Sequence, residues 1–346
     1  MANQNLYENL KIKRDGADVE MSAEIPASIV EKYVDQVVEN AKQDLELPGF
    51  RKGQVPMELV RKNLNPLHVY EDAADMALRE AYPQIVANEK LAVVTAPRVT
   101  LTKLAPGNPV EFKAQVGVSP EFKLPDYKKI GKTESEKQEP VLVTDEEIDG
   151  TIKNIQMMRM DPEQIKDQKD VKLPELTDEY VKSLGQFSSV DDFKKKIREG
   201  TEEEKKVGAK RVLRENIAAK LIEATNIPLP SLMVEKEVGQ LRTRRCEEIQ
   251  RMGLQVDEYL KKVNKSEEDL GKEEKFYIER QLRTRFVLEK IAETEKISAD
   301  PKVVEENVEY LLERNKSADP EHIRNYVESM LTNEAVLKML EEKPGK

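Results

Sequence analysis

Tryptophan is absent from this 346-residue chain, cysteine occurs once, histidine twice, and aromatic residues make up only 5%. The one cysteine, Cys246, cannot form an intramolecular disulfide. It lies in the helical run RTRRCEEIQR, where packing is its expected role. His68 and His322 stand far apart, each at the start of a helix and without neighbouring ligand residues, so they read as helix-surface groups and no metal site is expected. The chain contains no Gly-rich phosphate loop, HExxH helix, CxxC pair or nucleophile elbow. No cofactor is called for, and no catalytic residue stands out. There is no run of about 18 apolar residues, and no signal-like apolar segment at the start. A cytoplasmic protein without a membrane partner is the expectation. Acidic stretches such as Glu202-Glu203-Glu204 are solvated helix faces in so charged a chain. Together these absences favour a binding scaffold over an enzyme.

Charge is what the chain has in abundance. Asp, Glu, Lys and Arg make up 36% of residues, with a net charge of -10. This balance argues against general affinity for nucleic acid or anionic lipid, so any such contact must be local. The composition suits long helices with wide solvated faces and thin apolar seams. The length implies two or three domains.

One stretch is locally basic. LPGFRKGQVP, residues 47–56, carries Phe50, Arg51 and Lys52 between two glycines and two prolines. Gly49 and Gly53 permit backbone angles closed to other residues, and Pro48 and Pro56 restrict the chain around them. The result is a shaped loop, with Gly49, Gly53 and Pro56 setting its path and Arg61 and Lys62 as secondary basic candidates. Two readings stand at this point: a docking tip for a polyanionic partner, or a helix–helix loop whose phenylalanine folds back onto the core.

Periodicity organises the rest. Residues 4–25 read as two strands around the turn Asp15-Gly16, with Val19, Met21, Ala23 and Ile25 on one face. Helices are predicted over 26–46, 57–63 and 67–88, followed by strand character over 91–104 and 110–120. The order strand–strand–helices–strand–strand specifies an α+β domain with an antiparallel sheet, residues 1–120. Residues 121–142 lack periodicity and read as an extended linker. Thr144 and Glu147 form a capping box that opens a helix to about 159. From there the chain reads as mostly α-helical, with elongated arms: helices over 176–184, 190–223, 230–253, 255–262, 271–294, 301–315 and 320–341. SADP occurs at 298–301 and 317–320, each time placing Asp as cap and Pro at the first helical position. Leu311, Leu312, Met330, Leu331, Val336 and Met339 are candidates for helix seams or for exposed apolar surface.

GFRKGQVP at 49–56, VTDEEIDGTIKNIQ at 143–156, LPELTDEYVKSLG at 173–185 and NIPLPSLMVEKEVGQL at 226–241 together resemble trigger factor, a family of bacterial chaperones that meets nascent chains at the ribosomal exit tunnel. The resemblance covers essentially the whole chain and rests most on the loop. It implies ribosome binding through Phe50, Arg51 and Lys52, with tunnel-exit protein and nearby rRNA as partners. It further implies a helical domain, residues 143–346, that holds unfolded or nascent polypeptides without ATP. Weak self-association is compatible with such surfaces. The other readings are a free cytosolic holdase or assembly factor, and a structural adaptor for one folded partner. Typical members carry an FKBP-like prolyl isomerase insertion before the LPELT segment. Here that interval is the thirteen residues 160–172, against the roughly 80–100 that such a domain needs. The isomerase activity is therefore not expected.

Overall fold

The computed structural model describes residues 5–48, 50–160, 173–316 and 318–341. Strands β1 (Glu8–Asp15) and β2 (Asp18–Ile25) form a hairpin whose turn places Gly16 at φ +60°. Strands β3 (Arg98–Lys103) and β4 (Val110–Gly117) complete a four-stranded sheet of order β1-β2-β4-β3, antiparallel throughout. Alternation decides its faces: Val19, Met21, Ala23 and Ile25 of β2 are all buried, as are Val110, Phe112, Ala114 and Val116 of β4. Between the hairpins lie α1 (Ala27–Asp44), α2 (Met57–Asn63) and α3 (Pro66–Asn88). Ile29, Val30 and Val38 of α1 and Ala73, Ala77, Ala81 and Ile85 of α3 join the sheet residues in one core. The alanines keep the inner face of α3 thin. Asn65 caps α3 by accepting from the Leu67 amide at 3.0 Å, with Pro66 at the first helical position. This part of the chain has the expected α+β architecture, and the chain beyond it is mostly helical, also as expected.

Contacts divide the chain into two compact units. One takes in the chain through Lys123 and returns for Thr225–Phe286; the other takes Leu124–Ala224 and the chain from Val287 onward. In the first unit, the sheet's end receives α8 (Ser231–Arg251). Pro230 holds the cap position and has no side chain to cap with. Asp18 supplies the missing acceptor, 2.8 Å from the Ser231 amide and 3.0 Å from its hydroxyl. Arg98 donates to Glu235 at 2.6 Å. A Cβ on Gly117 would stand 2.5 Å from Pro230 Cβ and 2.8 Å from Thr95 Cγ2, so only glycine lets the strand and turn approach this closely. Beyond α9 (Val256–Val263) runs α10 (Glu267–Glu295). It begins four residues before the predicted start, because Ser266 accepts from the Asp269 amide and caps it there. Glu274 of α10 is buried and accepts from Arg242 and Arg245 of α8, so this carboxylate is paired twice.

The second unit is built from helices. Residues 121–142 are not wholly extended, contrary to expectation: α4 covers Tyr127–Glu136, with Asp126 as cap. Its buried residues are Gly131, Glu134 and Ser135. A face of glycine, serine and a carboxylate carries no apolar period, so hydrophobic patterning does not reveal this helix. A Cβ at Gly131 would lie 2.5 Å from the Leu340 carbonyl oxygen, so α4 touches its neighbour through backbone. Helix α5 (Asp145–Met158) opens with the expected capping box: the Glu147 amide donates to Thr144 Oγ1, and the Thr144 amide to Glu147 Oε2 at 3.0 Å. With α6 (Asp178–Leu184) and α7 (Val190–Glu223) it encloses Ile148, Ile152, Val181 and Phe193. Helices α11 (Pro301–Arg314) and α12 (Pro320–Glu341) pack around Val304, Val308 and Val327. Asp300 and Asp319 accept from the Lys302 and Glu321 amides, as the two SADP starts predict. Arg214 of α7 forks onto Glu334 at 2.7 and 2.5 Å and also meets Glu341.

Candidate docking loop and apolar surfaces

The loop between α1 and α2 is anchored at its far end and free at its tip. Val55 and Val60 are fully buried in the sheet domain's core. Pro56, at φ -58°, leads into α2, and its carbonyl accepts from the Leu59 and Val60 amides. The Phe50 amide donates to the Leu47 carbonyl at 3.1 Å, and the Gln54 amide to the Arg51 carbonyl at 2.9 Å. Phe50 closes the first of these turns, and Arg51 and Lys52 open the second. Gly53 lies in the left-handed region at φ +79°, with nothing within 4 Å of where a Cβ would be. Its need for glycine is therefore one of backbone conformation, not of space. Gly49 lies outside the described residues.

At the tip Phe50 is 41% exposed and belongs to no core cluster, so the ring does not fold back onto the core. Arg51 and Lys52 are exposed beside it, and Arg61 and Lys62 are exposed on α2. Lys52 Nζ stands 3.3 Å from Asp44 Oδ1, and Arg61 pairs with Asp35. Arg51 and Lys62 make no ion pair among the described residues. An aromatic ring and exposed cations on one tip can meet a surface that is both apolar and anionic.

The helices expose apolar groups, most of which sequence pattern does not single out. In the first unit, Met252, Val263, Phe276 and Tyr277 are exposed around α8–α10. In the second, Val303 and Tyr310 lie seven apart on α11, and Tyr326 and Met330 four apart on α12, each pair on one helix face. Of the residues named from sequence, Met330 is exposed, Leu311, Leu312 and Leu331 pack against the α11–α12 core, and Val336 is buried. Exposed aromatics on a helix carry no period of their own, so only the fold separates them from seam residues.

His68 sits on the surface 3.1 Å from Glu71. Among the described residues no group of three or more His, Cys, Asp or Glu could hold a metal ion, and no helix is long and apolar enough to cross a membrane.

Two family models match: bacterial trigger factor protein over residues 8–155, and bacterial trigger factor protein C-terminus over residues 189–343. The chain belongs to the trigger factor family. A trigger factor of Moorella thermoacetica is 25% identical, with 90% of this chain and 88% of that protein covered. One of Staphylococcus carnosus is 24% identical, with 86% of each covered. A solved structure reported as "Promiscuous Substrate Recognition in Folding and Assembly Activities of the Trigger Factor Chaperone" matches with TM-score 0.56 at 18% identity, over 96% of this chain and 99% of that one, and shares the fold. Family membership makes this chain a chaperone of unfolded and nascent polypeptides.

The chain lacks the isomerase domain. Only residues 156–188 lie between the two matched stretches, and α5 and α6 already occupy part of that interval. The Moorella alignment runs over 397 positions, whereas 90% of 346 residues is about 311, so roughly 86 positions of that trigger factor have no counterpart here. Across the interval, the buried Gln156 side chain donates to the Pro174 carbonyl at 2.8 Å, joining the end of α5 to the LPELT segment.

Proposed function

We propose that this trigger factor docks at the ribosomal exit tunnel through Phe50, Arg51 and Lys52, with Arg61 and Lys62 as lesser contacts. Gly49, Gly53 and Pro56 would give the loop its path. The cations meet rRNA phosphate or acidic side chains of tunnel-exit proteins, and the ring adds apolar contact. The observation that carries the reading is an exposed Phe50 followed by two exposed cations, on a loop whose base is fixed by the buried Val55 and Val60.

In this reading residues 1–120 dock, residues 121–142 connect, and the helical part from 143 holds clients. Extended, unfolded segments bind the exposed apolar groups, which include Phe276, Tyr277, Tyr310, Tyr326 and Met330. Dispersed small patches amid charge bind weakly and broadly, as release of a client requires. Binding and release are passive, set by affinity and competition. A photo-crosslinker at position 50 tests the docking in cell extract. Crosslinks to proteins around the tunnel exit are expected. Crosslinks to one unrelated folded protein would support an adaptor instead, and their absence from ribosomes a free holdase.

A further inference from the structure

The basic tip is partly occupied from within. Two of its four cations are paired by carboxylates of one helix: Lys52 by Asp44, and Arg61 by Asp35, both on α1. Asp44 is the last residue of α1. A carboxylate there faces the negative end of the helix dipole, where an acidic side chain is disfavoured. Its partner in the structure is the loop cation Lys52, 3.3 Å away.

Resting on the docking role of the tip, we propose that Asp44 and Asp35 are internal counter-ligands, which set its affinity and its selectivity among polyanions. An incoming phosphate or carboxylate must displace Asp44 from Lys52 and Asp35 from Arg61. For a single anion that exchange gains little, because one exposed ion pair replaces another of similar strength. A surface that engages Arg51, Lys62 and Phe50 at the same time supplies what the exchange does not. Free RNA, which offers phosphates without the matching apolar contact, is disfavoured relative to the ribosome. The acids thus let an acidic chaperone carry a basic tip without general nucleic-acid binding.

The test is affinity for purified ribosomes of the full-length chain and its variants, with far-UV circular dichroism to confirm folding. Asp44→Asn is expected to tighten binding by roughly two- to fivefold, the range for removing one exposed competing pair. It should also steepen the salt dependence by up to about one phosphate contact. Its affinity for a naked RNA duplex should rise by more, lowering the selectivity ratio. In a Lys52→Gln background the same substitution should have no effect, because the acid acts through that lysine. Asp35→Asn and Arg61→Gln form the parallel cycle. Glu39→Gln, on the same helix and without an ion pair among the described residues, controls for a general change of field. Tightening by Asp44→Asn that persists in Lys52→Gln, or that Glu39→Gln matches, would overturn the proposal, as would no tightening at all. The Phe50/Arg51/Lys52→Ala variant run alongside separates the two levels. If it binds like the unmodified chain, docking through the tip falls. If it binds weakly while Asp44→Asn changes nothing, only the counter-ligand role falls.

Discussion

Gly53 and Gly117 are both needed as glycine, for opposite reasons. Gly53 has room for a side chain but a left-handed backbone; Gly117 has an ordinary backbone but no room. Gly53→Ala should cost about 1–2 kcal/mol if the loop keeps its path. If the loop relaxes instead, stability changes little and ribosome binding weakens with no charge altered. Thermal melting and cosedimentation on the same variant distinguish these outcomes. Gly117→Val forces two branches into the space held by Pro230 and Thr95. It should lower the melting temperature by several degrees, since about 1 kcal/mol shifts a domain of 150–250 residues by roughly 2–4 °C. The first glycine is legible from the loop motif. The second is not, because the residue it touches lies in a distant turn. The same holds for Asp18, which caps a helix 213 residues further along the chain.

Among the elements, the sheet strands and the capped helices are the most readable. Strict alternation marks β2 and β4, and Thr144 with Glu147 marks the start of α5, because each signal is local. Thr144→Ala should destabilise by about 1 kcal/mol, seen as a lower denaturation midpoint. Helix α4 is unreadable because its buried face is polar and small. The α1–α3 packing has a consequence in alkali. Tyr33 of α1 has its pKa pushed up to about 12, by burial first and then by the Glu80 carboxylate of α3, to which its hydroxyl donates. Burial also pushes the hydroxyls of Tyr70 and Tyr82 up. A folded pKa above the unfolded value of about 10 means that the neutral ring stabilises the fold fully below pH 10. That contribution is lost as pH rises from about 10 toward 12. Melting temperatures should fall across that window, and Tyr33→Phe should flatten the fall. An unchanged slope in Tyr33→Phe would assign the alkaline loss elsewhere.

At the scale of the molecule, family membership, fold class and the missing isomerase domain are all legible, the last from a thirteen-residue interval alone. The clustering of Thr225–Phe286 with the sheet domain is not, since it rests on contacts such as Arg98 with Glu235 that no periodicity encodes. Without the isomerase domain, the pure protein should leave an X-Pro peptide at its uncatalysed rate of exchange in an NMR assay; saturable acceleration would demand a different catalytic site. Suppression of aggregation of a denatured protein should proceed without ATP. In the proposed reading, a chain of net charge -10 reaches the ribosome through one small basic tip. Cosedimentation with purified ribosomes across a salt series, comparing the full chain with its Phe50/Arg51/Lys52→Ala variant, tests this most directly. Weak binding by the variant and a shallower salt dependence, by about one to two phosphate contacts, are expected. Equal binding and an equal slope for the two proteins would contradict it.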